Sequence, residues 1–246
     1  MIPLGDEGAQ RHTGLPIVNL ALIAINIVMF LLQMSSDAIT YGWSLIPREI
    51  TTGQDIVGLV PVGGGQLQLF AAPLGIPYLT LLTSMFMHGG LLHIGSNMLF
   101  LFIFGDNVEA NMGAIKYLLF YLLCGFAADF AQILLGGGDS VIPNLGASGA
   151  IAGVLGAYLI LFPQAQIRAL IPFGLMSTIT FVPAILMIGI WIVMQFVSVF
   201  IAGEQAGGGG GGVAYWAHIG GFIAGLLLVF LFRDRNSASS NPIFSR

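Results

Sequence analysis

Six stretches of this chain are apolar over about the 20 residues that a helix needs to cross the hydrocarbon core of a bilayer. They cover residues 16–34, 91–106, 113–135, 145–162, 180–202 and 213–232. The second run is short, and 85–90 is apolar enough to lengthen it outward; 176–179 would lengthen the fifth. Only 7% of the 246 residues are charged, whereas a soluble domain carries about 25%. The pattern predicts an all-α, polytopic membrane protein with six transmembrane helices.

The basic residues orient these spans. Arg11 precedes the first, Lys116 lies at the turn between the second and third, and Arg168 lies between the fourth and fifth. Arg233, Arg235 and Arg246 follow the sixth, so six of the seven Lys and Arg residues share one side and only Arg48 is opposite. Basic residues concentrate on the cytoplasmic side, which puts both termini inside. Residues 1–15 are then a cytoplasmic segment, 16–232 the membrane domain, 35–78 an extracytoplasmic loop and 233–246 a cytoplasmic tail. The first loop is rich in Gly and Pro and carries Tyr41, Trp43 and Tyr78, as expected of chain at headgroup depth. A glycine run at 207–212 precedes span six, either a hinge for span five or a plain linker. The tail from Asn236 is polar and expected to be disordered. The first apolar run is long enough to stay as a span and not be cleaved as a signal peptide. The single cysteine, Cys124, excludes an internal disulfide, and a net charge of −4 offers no basic surface for nucleic acid.

A polar side chain inside a bilayer needs a reason to be there, and several enter these spans from the outer side. Ser148, within Gly146-Ala147-Ser148-Gly149, lies a few residues into span four, and His218 a few residues into span six. Those two spans run in the same direction, so both residues sit roughly 7–10 Å below the outer boundary at 1.5 Å per residue. Span two adds His88, His93 and Asn97; the last two are spaced i, i+4 and share a helix face. Small residues recur along span four (Gly146, Gly149, Gly153, Gly156) and, in line with His218, along span six (Ala214, Gly221, Gly225). Such stripes allow backbones to approach closely, and they place Ser148 and His218 where they can meet.

That pair predicts hydrolysis. A serine hydroxyl becomes a nucleophile when a base lies within about 3 Å, and imidazole serves as that base and then as the acid for a leaving amine. No carboxylate is placed to orient His218, so the residues read as a dyad. Asn97, His93 and the Ser148 backbone N–H, in the unpaired first turn of a helix, are candidate donors to an oxyanion. His88 is either part of the site or a packing residue near the surface. Asp129 lies within span three and is either functional or structural. Asp106, Asn107 and Glu109 fall at the cytoplasmic turn, where they act as caps.

These motifs resemble the rhomboid intramembrane serine proteases. The resemblance rests on Gly146-Ala147-Ser148-Gly149, on Ala217-His218-Ile219-Gly220-Gly221 with Gly225, on His88 through His93 to Asn97, and on Phe104-Gly105-Asp106-Asn107-Val108-Glu109 followed by Gly113. It covers residues 79–232 and implies a six-helix rhomboid-like bundle with a Ser148–His218 dyad and an oxyanion site of Asn97, His93 and the Ser148 amide. It also implies single-pass or polytopic membrane-protein substrates, cut near the outer end of a helix that unfolds locally. The basic residues put the polar cluster near the extracytoplasmic face, and a compact chain without a transit peptide is expected in a prokaryotic plasma membrane. Some relatives stack an aromatic residue, one turn after the serine, on the histidine; that position here is Ala152, so His218 must be oriented from elsewhere. The Trp-Arg pair that some relatives carry in the first loop has no match.

Two other classes compete. A non-proteolytic relative would bind membrane clients without cutting them, and it would be expected to lack one member of the pair. An ion or metal transporter would use the histidines as ligands. Against it, His-Glu-x-x-His is absent and His88 and His93 are five apart, off one helix face; matched broken repeats are also missing. No cofactor or metal is expected.

Overall fold

A computed structural model of the protein describes residues 1–9, 14–62, 64–173, 176–205 and 214–234. The glycine run at 207–212, Arg11, and the tail with Arg235 and Arg246 lie outside the described residues. The chain is mostly helical. Strand β1 (Ile2–Glu7) leads to α1 (Ile17–Gln33), then to the short helices α2 (Asp37–Gly42) and α3 (Pro47–Thr52) and the hairpin β2 (Gly58–Val62) and β3 (Gly65–Leu69). The one-turn helix α4 (Thr80–Thr83) precedes α5 (Leu91–Met112), α6 (Ala114–Gly136) and α7 (Ser148–Leu161). A second hairpin, β4 (Gln166–Phe173) and β5 (Met176–Pro183), leads to α8 (Ala184–Gln205) and α9 (Tyr215–Phe232). Among the described residues, four helices are long and apolar enough to cross a membrane: α5, α6, α9 and Ala184–Ile201 of α8. The helices α1 and α7 are apolar but shorter.

Helix α7 forms the centre of the bundle. Eleven of its 14 residues are buried, the signature of a helix enclosed on every side; α5, α6, α8 and α9 all contact it. At 1.5 Å per residue it is only about 21 Å long, short of a hydrocarbon core of about 30 Å. Beside it, Phe104 of α5 meets Tyr158 edge to face at 4.9 Å, and Tyr117, Phe120 and Tyr121 of α6 are fully buried. Buried Asn19 of α1 is paired across helices. Asn19 Nδ2 donates to the Leu101 carbonyl (2.9 Å) and the Tyr117 hydroxyl donates to Asn19 Oδ1 (2.8 Å).

The structure corrects several boundaries and the purely α-helical fold class. Residues 176–183 do not extend span five; β5 pairs antiparallel with β4, which pairs antiparallel with β1, giving a three-stranded sheet in the order β1-β4-β5. Thr178, Thr180 and Val182 alternate with Ile179 and Phe181, and β-branched and aromatic residues favour an extended chain, so the helix starts only at Ala184. Span two is not lengthened outward either. Residues Ser84–Phe86 form a single 3₁₀ turn and Gly90 interrupts the chain before α5. That helix continues inward to Met112, so Asp106, Asn107 and Glu109 lie within it and not in a turn. The Glu109 carboxylate accepts the N–H groups of Val18 and Asn19 (3.0 and 2.7 Å), capping the start of α1 from another element. Gly113 alone joins α5 to α6; its φ of +81° is a conformation that favours glycine.

The first loop is folded. Leu45 and Asn144 exchange both backbone hydrogen bonds (2.9 and 2.7 Å), and Arg48 N–H donates to the Ser140 carbonyl (3.0 Å). These bonds tie it to the segment that leads into α7.

Candidate active site

Helices α7 and α9 meet along the glycine stripes. A methyl group at Gly225 would run into the carbonyl of Gly153, one at Gly221 into the carbonyl of Gly149, and one at Gly156 would lie 2.6 Å from the Phe222 oxygen. Only hydrogen side chains permit this approach. It carries the first turn of α9 against the first turn of α7, and there His218 Nε2 lies 2.7 Å from Ser148 Oγ.

Ser148 is the first residue of α7 and not a few residues into it, because Gly146 has φ +133° and cannot continue a helix backward. Its backbone N–H belongs to the first turn, where donors have no intrahelical acceptor. His93 Nε2 lies beside Gly146: a methyl there would fall 2.8 Å from that nitrogen and 3.5 Å from Ser148 Oγ. The Gly89 N–H donates to His93 Nδ1 (3.2 Å), so neutral His93 carries its hydrogen on Nε2, the nitrogen facing Gly146. Asn97 is buried, and among the described residues no acceptor reaches its Nδ2. Ser148, His218, His93, Asn97 and His88 all line one cleft of about 1000 Å³. Asp37, Thr40, Tyr41 and Leu67 of the first loop form part of its wall.

The Rhomboid domain family profile matches residues 77–235, more than half of the chain. The chain belongs to the rhomboid family. With its long apolar helices, this rhomboid-family protein is an integral membrane protein. It is 32% identical over 154 residues to Rhomboid protease GluP of Bacillus subtilis (strain 168), covering 62% of this chain and 26% of that protein. RHOMBOID-like protein 1 of Arabidopsis thaliana is 32% identical over 157 residues, 63% of this chain and 34% of the relative. Rhomboid protein 1, mitochondrial, of Saccharomyces cerevisiae is 36% identical over 92 residues, 36% of this chain and 27% of the relative. The chain thus spans only about a quarter to a third of the length of these three relatives. The family match takes in α4 to α9 with every residue of the cleft discussed above except those from the first loop; α1 and most of that loop precede it.

Since Ala152 cannot stack on it, His218 of this rhomboid-family protein must be oriented by other residues, and two contacts do so. Gln195 Oε1 lies 2.8 Å from His218 Nδ1, and the Trp191 ring packs on the imidazole at 5.6 Å between centroids. Both come from α8, spaced i, i+4 on one face. Their signal in the sequence was Gln195, an amide inside an apolar span, where polar side chains act as links between helices.

His88 lies edge to face with His93 at 5.1 Å between centroids. Its backbone is held by Gln33 of α1, which accepts from His88 N–H (2.9 Å) and donates to the His88 carbonyl (3.1 Å). Asp129 lies behind Ser148 and not in the cleft. With Ser84 it lines a separate cavity of about 10 Å³. Among the described residues, Asp129 Oδ2 and Ser84 Oγ have no hydrogen-bond partner.

Proposed function

We propose that this protein is an intramembrane serine endopeptidase that cleaves membrane-spanning segments of other proteins. The observation that carries the reading is the 2.7 Å contact between Ser148 Oγ and His218 Nε2 in a cleft that also holds Asn97, whose Nδ2 has no acceptor among the described residues. In the proposed reaction His218 Nε2 takes the Ser148 hydroxyl proton as Oγ attacks the scissile carbonyl carbon. Asn97 Nδ2, His93 Nε2–H and the Ser148 N–H donate to the oxyanion. Collapse expels the amine, which takes the proton from His218 and leaves an acyl-serine. Water attacks that ester while His218 accepts its proton, and Ser148 regains a proton as the acid product leaves.

The proposed topology has six spans within residues 16–232 and both termini cytoplasmic. The helices α5, α7 and α9 all begin at the cleft, and Lys116, Arg168 and Arg233 follow their far ends, which supports a cleft at the extracytoplasmic face. Because α7 is short, Ser148 would lie below the membrane surface, and water would reach it through the cleft. Substrate helices would need to unwind locally to present a carbonyl. We place the protein in a prokaryotic plasma membrane, with the Bacillus subtilis relative as the bacterial parallel. A purely client-binding role would use the same cleft but gives no reason for a hydroxyl–imidazole contact.

The test is labelling with a fluorophosphonate probe and cleavage of a model single-span substrate in proteoliposomes. Attachment at Ser148, lost together with cleavage in Ser148→Ala at unchanged thermal stability, is expected. Equal turnover by Ser148→Ala would refute the protease assignment.

A further inference from the structure

His218 meets α8 through its other ring nitrogen, and the orientation of Gln195 there is fixed by a second bond. Gln195 Nε2 donates to the carbonyl of Trp191, one turn back on the same helix (3.2 Å). A carbonyl oxygen only accepts, so the amide cannot be flipped without setting two oxygens against each other. The oxygen of Gln195 must therefore be the atom 2.8 Å from His218 Nδ1. An amide oxygen has no hydrogen to give, so Nδ1 carries one. Neutral His218 then has its lone pair on Nε2, facing the Ser148 hydroxyl.

We propose that Gln195 is the positioning residue of the site, and that the Ser148–His218 pair is in fact a chain of three with Gln195 selecting the histidine tautomer that can act as a base. The proposal rests on the protease reading and deepens it. Gln195 is buried, with relative exposure of 9%, so water does not replace it freely at Nδ1. The Trp191 ring closes the adjoining face of the imidazole, which limits rotation of the ring about its long axis. Ala152, one turn after Ser148, carries only a methyl and cannot stack. Both supports of His218 thus come from α8. As a neutral acceptor, Gln195 fixes geometry and tautomer without adding the negative charge that a carboxylate would bring to the apolar interior.

Two variants isolate the bond. Gln195→Met keeps the volume and loses both amide bonds. Gln195→Glu also loses the donor to Trp191 but keeps an acceptor for Nδ1–H. Gln195→Met is expected to lower kcat for the single-span substrate by about 10- to 100-fold, with KM changed by less than about twofold, because a base in the wrong tautomer fails after binding. Gln195→Glu is expected to recover at least about tenfold of that loss. A second measurement needs no turnover: ¹⁵N spectra of histidine-labelled protein are expected to show His218 as the Nδ1–H tautomer in wild type and as a mixture in Gln195→Met. Wild-type kcat in Gln195→Met, equal losses in the two variants, or the Nε2–H tautomer in wild type would each overturn the proposal. Failure of the probe to label Ser148 in wild type would instead strike the protease reading, and the tautomer measurement would still decide the role of Gln195.

Discussion

The α7–α9 seam offers a direct way to break the site without touching a reacting group. A methyl at position 221 would lie 2.9 Å from the Gly149 carbonyl carbon, closer still to its oxygen, and 3.4 Å from Ala128 Cβ. The first distance is about 0.5 Å short of ordinary contact and the obstacle is backbone, which has no rotamer to escape into. Ala128 on the far side blocks a sideways shift, so the helices must part by about 1 Å at the turn that bears Gly149. Gly149 follows Ser148 directly, and Gly221 lies three residues after His218. The 2.7 Å contact would therefore open to about 3.7 Å, beyond hydrogen-bond range. A misplacement of about 1 Å costs roughly 10²-fold in rate, and overpacking of this kind costs about 1–3 kcal/mol of stability.

The assay follows Gly221→Ala by the rate of fluorophosphonate labelling, by cleavage of a single-span substrate and by thermal unfolding in detergent. Gly189→Ala is the control, because a methyl there meets nothing within 4 Å. It should leave activity unchanged and hold or slightly raise stability, as Gly→Ala does in an unobstructed helix. Should Gly221→Ala label and cleave at the wild-type rate with unchanged unfolding, glycine packing is not what brings the pair together.

Asn97→Ala should lower kcat by about 10²–10³ with little change in KM, since the amide would act on charge that exists only in the transition state; a rise in KM at constant kcat would make it a substrate-binding group instead. In the first loop, burial pushes the Glu49 carboxyl up to about 7, against the bond it accepts from Ile56 N–H and with Asp55 adding to the rise. The folded loop therefore binds this proton more tightly than the unfolded chain, so its contribution is fully present below about 4.5 and is lost as pH rises through about 7. Hydrogen exchange of amides 45–62, corrected for intrinsic rates, should be slower at pH 5 than at pH 8, and Glu49→Gln should remove the difference; equal protection at both pH values would count against it. The Asp129–Ser84 cavity of about 10 Å³ has room for one water with polar partners. A high-resolution experimental structure should show that water bonded to Asp129 Oδ2 and Ser84 Oγ, and an empty cavity at that resolution would contradict this.

Much of the bundle was legible because membrane helices obey a length rule and a packing rule. Apolar runs of the right length located α1, α5, α6, α7, α8 and α9, most of them to within a few residues. The largest boundary errors have local causes. At 85–90, Gly89 and Gly90 break a stretch whose hydropathy reads as helix, and at 176–183 a β-branched alternation was absorbed into a neighbouring apolar run. Hydropathy measures how apolar a segment is and not which of its backbone groups pair with another strand. The sheet was illegible for a further reason. Strand β1 pairs with β4 across more than 150 residues of sequence, and no local pattern specifies such a partner.

The site divides along the same line. Positions set by close backbone approach were readable, because only glycine allows it: Gly149 and Gly153 on α7, and Gly221 and Gly225 on α9, bring Ser148 and His218 to the same level. Orientation was not readable. Which way the imidazole faces depends on how α8 is rotated about its own axis, and α8 is apolar nearly all round, so its periodicity carries no face. Gln195 is the one amide in the membrane-crossing part of that helix, Ala184–Ile201, and its bond to the Trp191 carbonyl converts a rotation of α8 into a choice of histidine tautomer. A mutation that turns α8 by one residue, such as one alanine inserted between Met187 and Trp191, should therefore abolish activity although it keeps the span apolar and leaves both reacting side chains intact. Retention of full activity by that insertion would show that His218 finds its tautomer without α8.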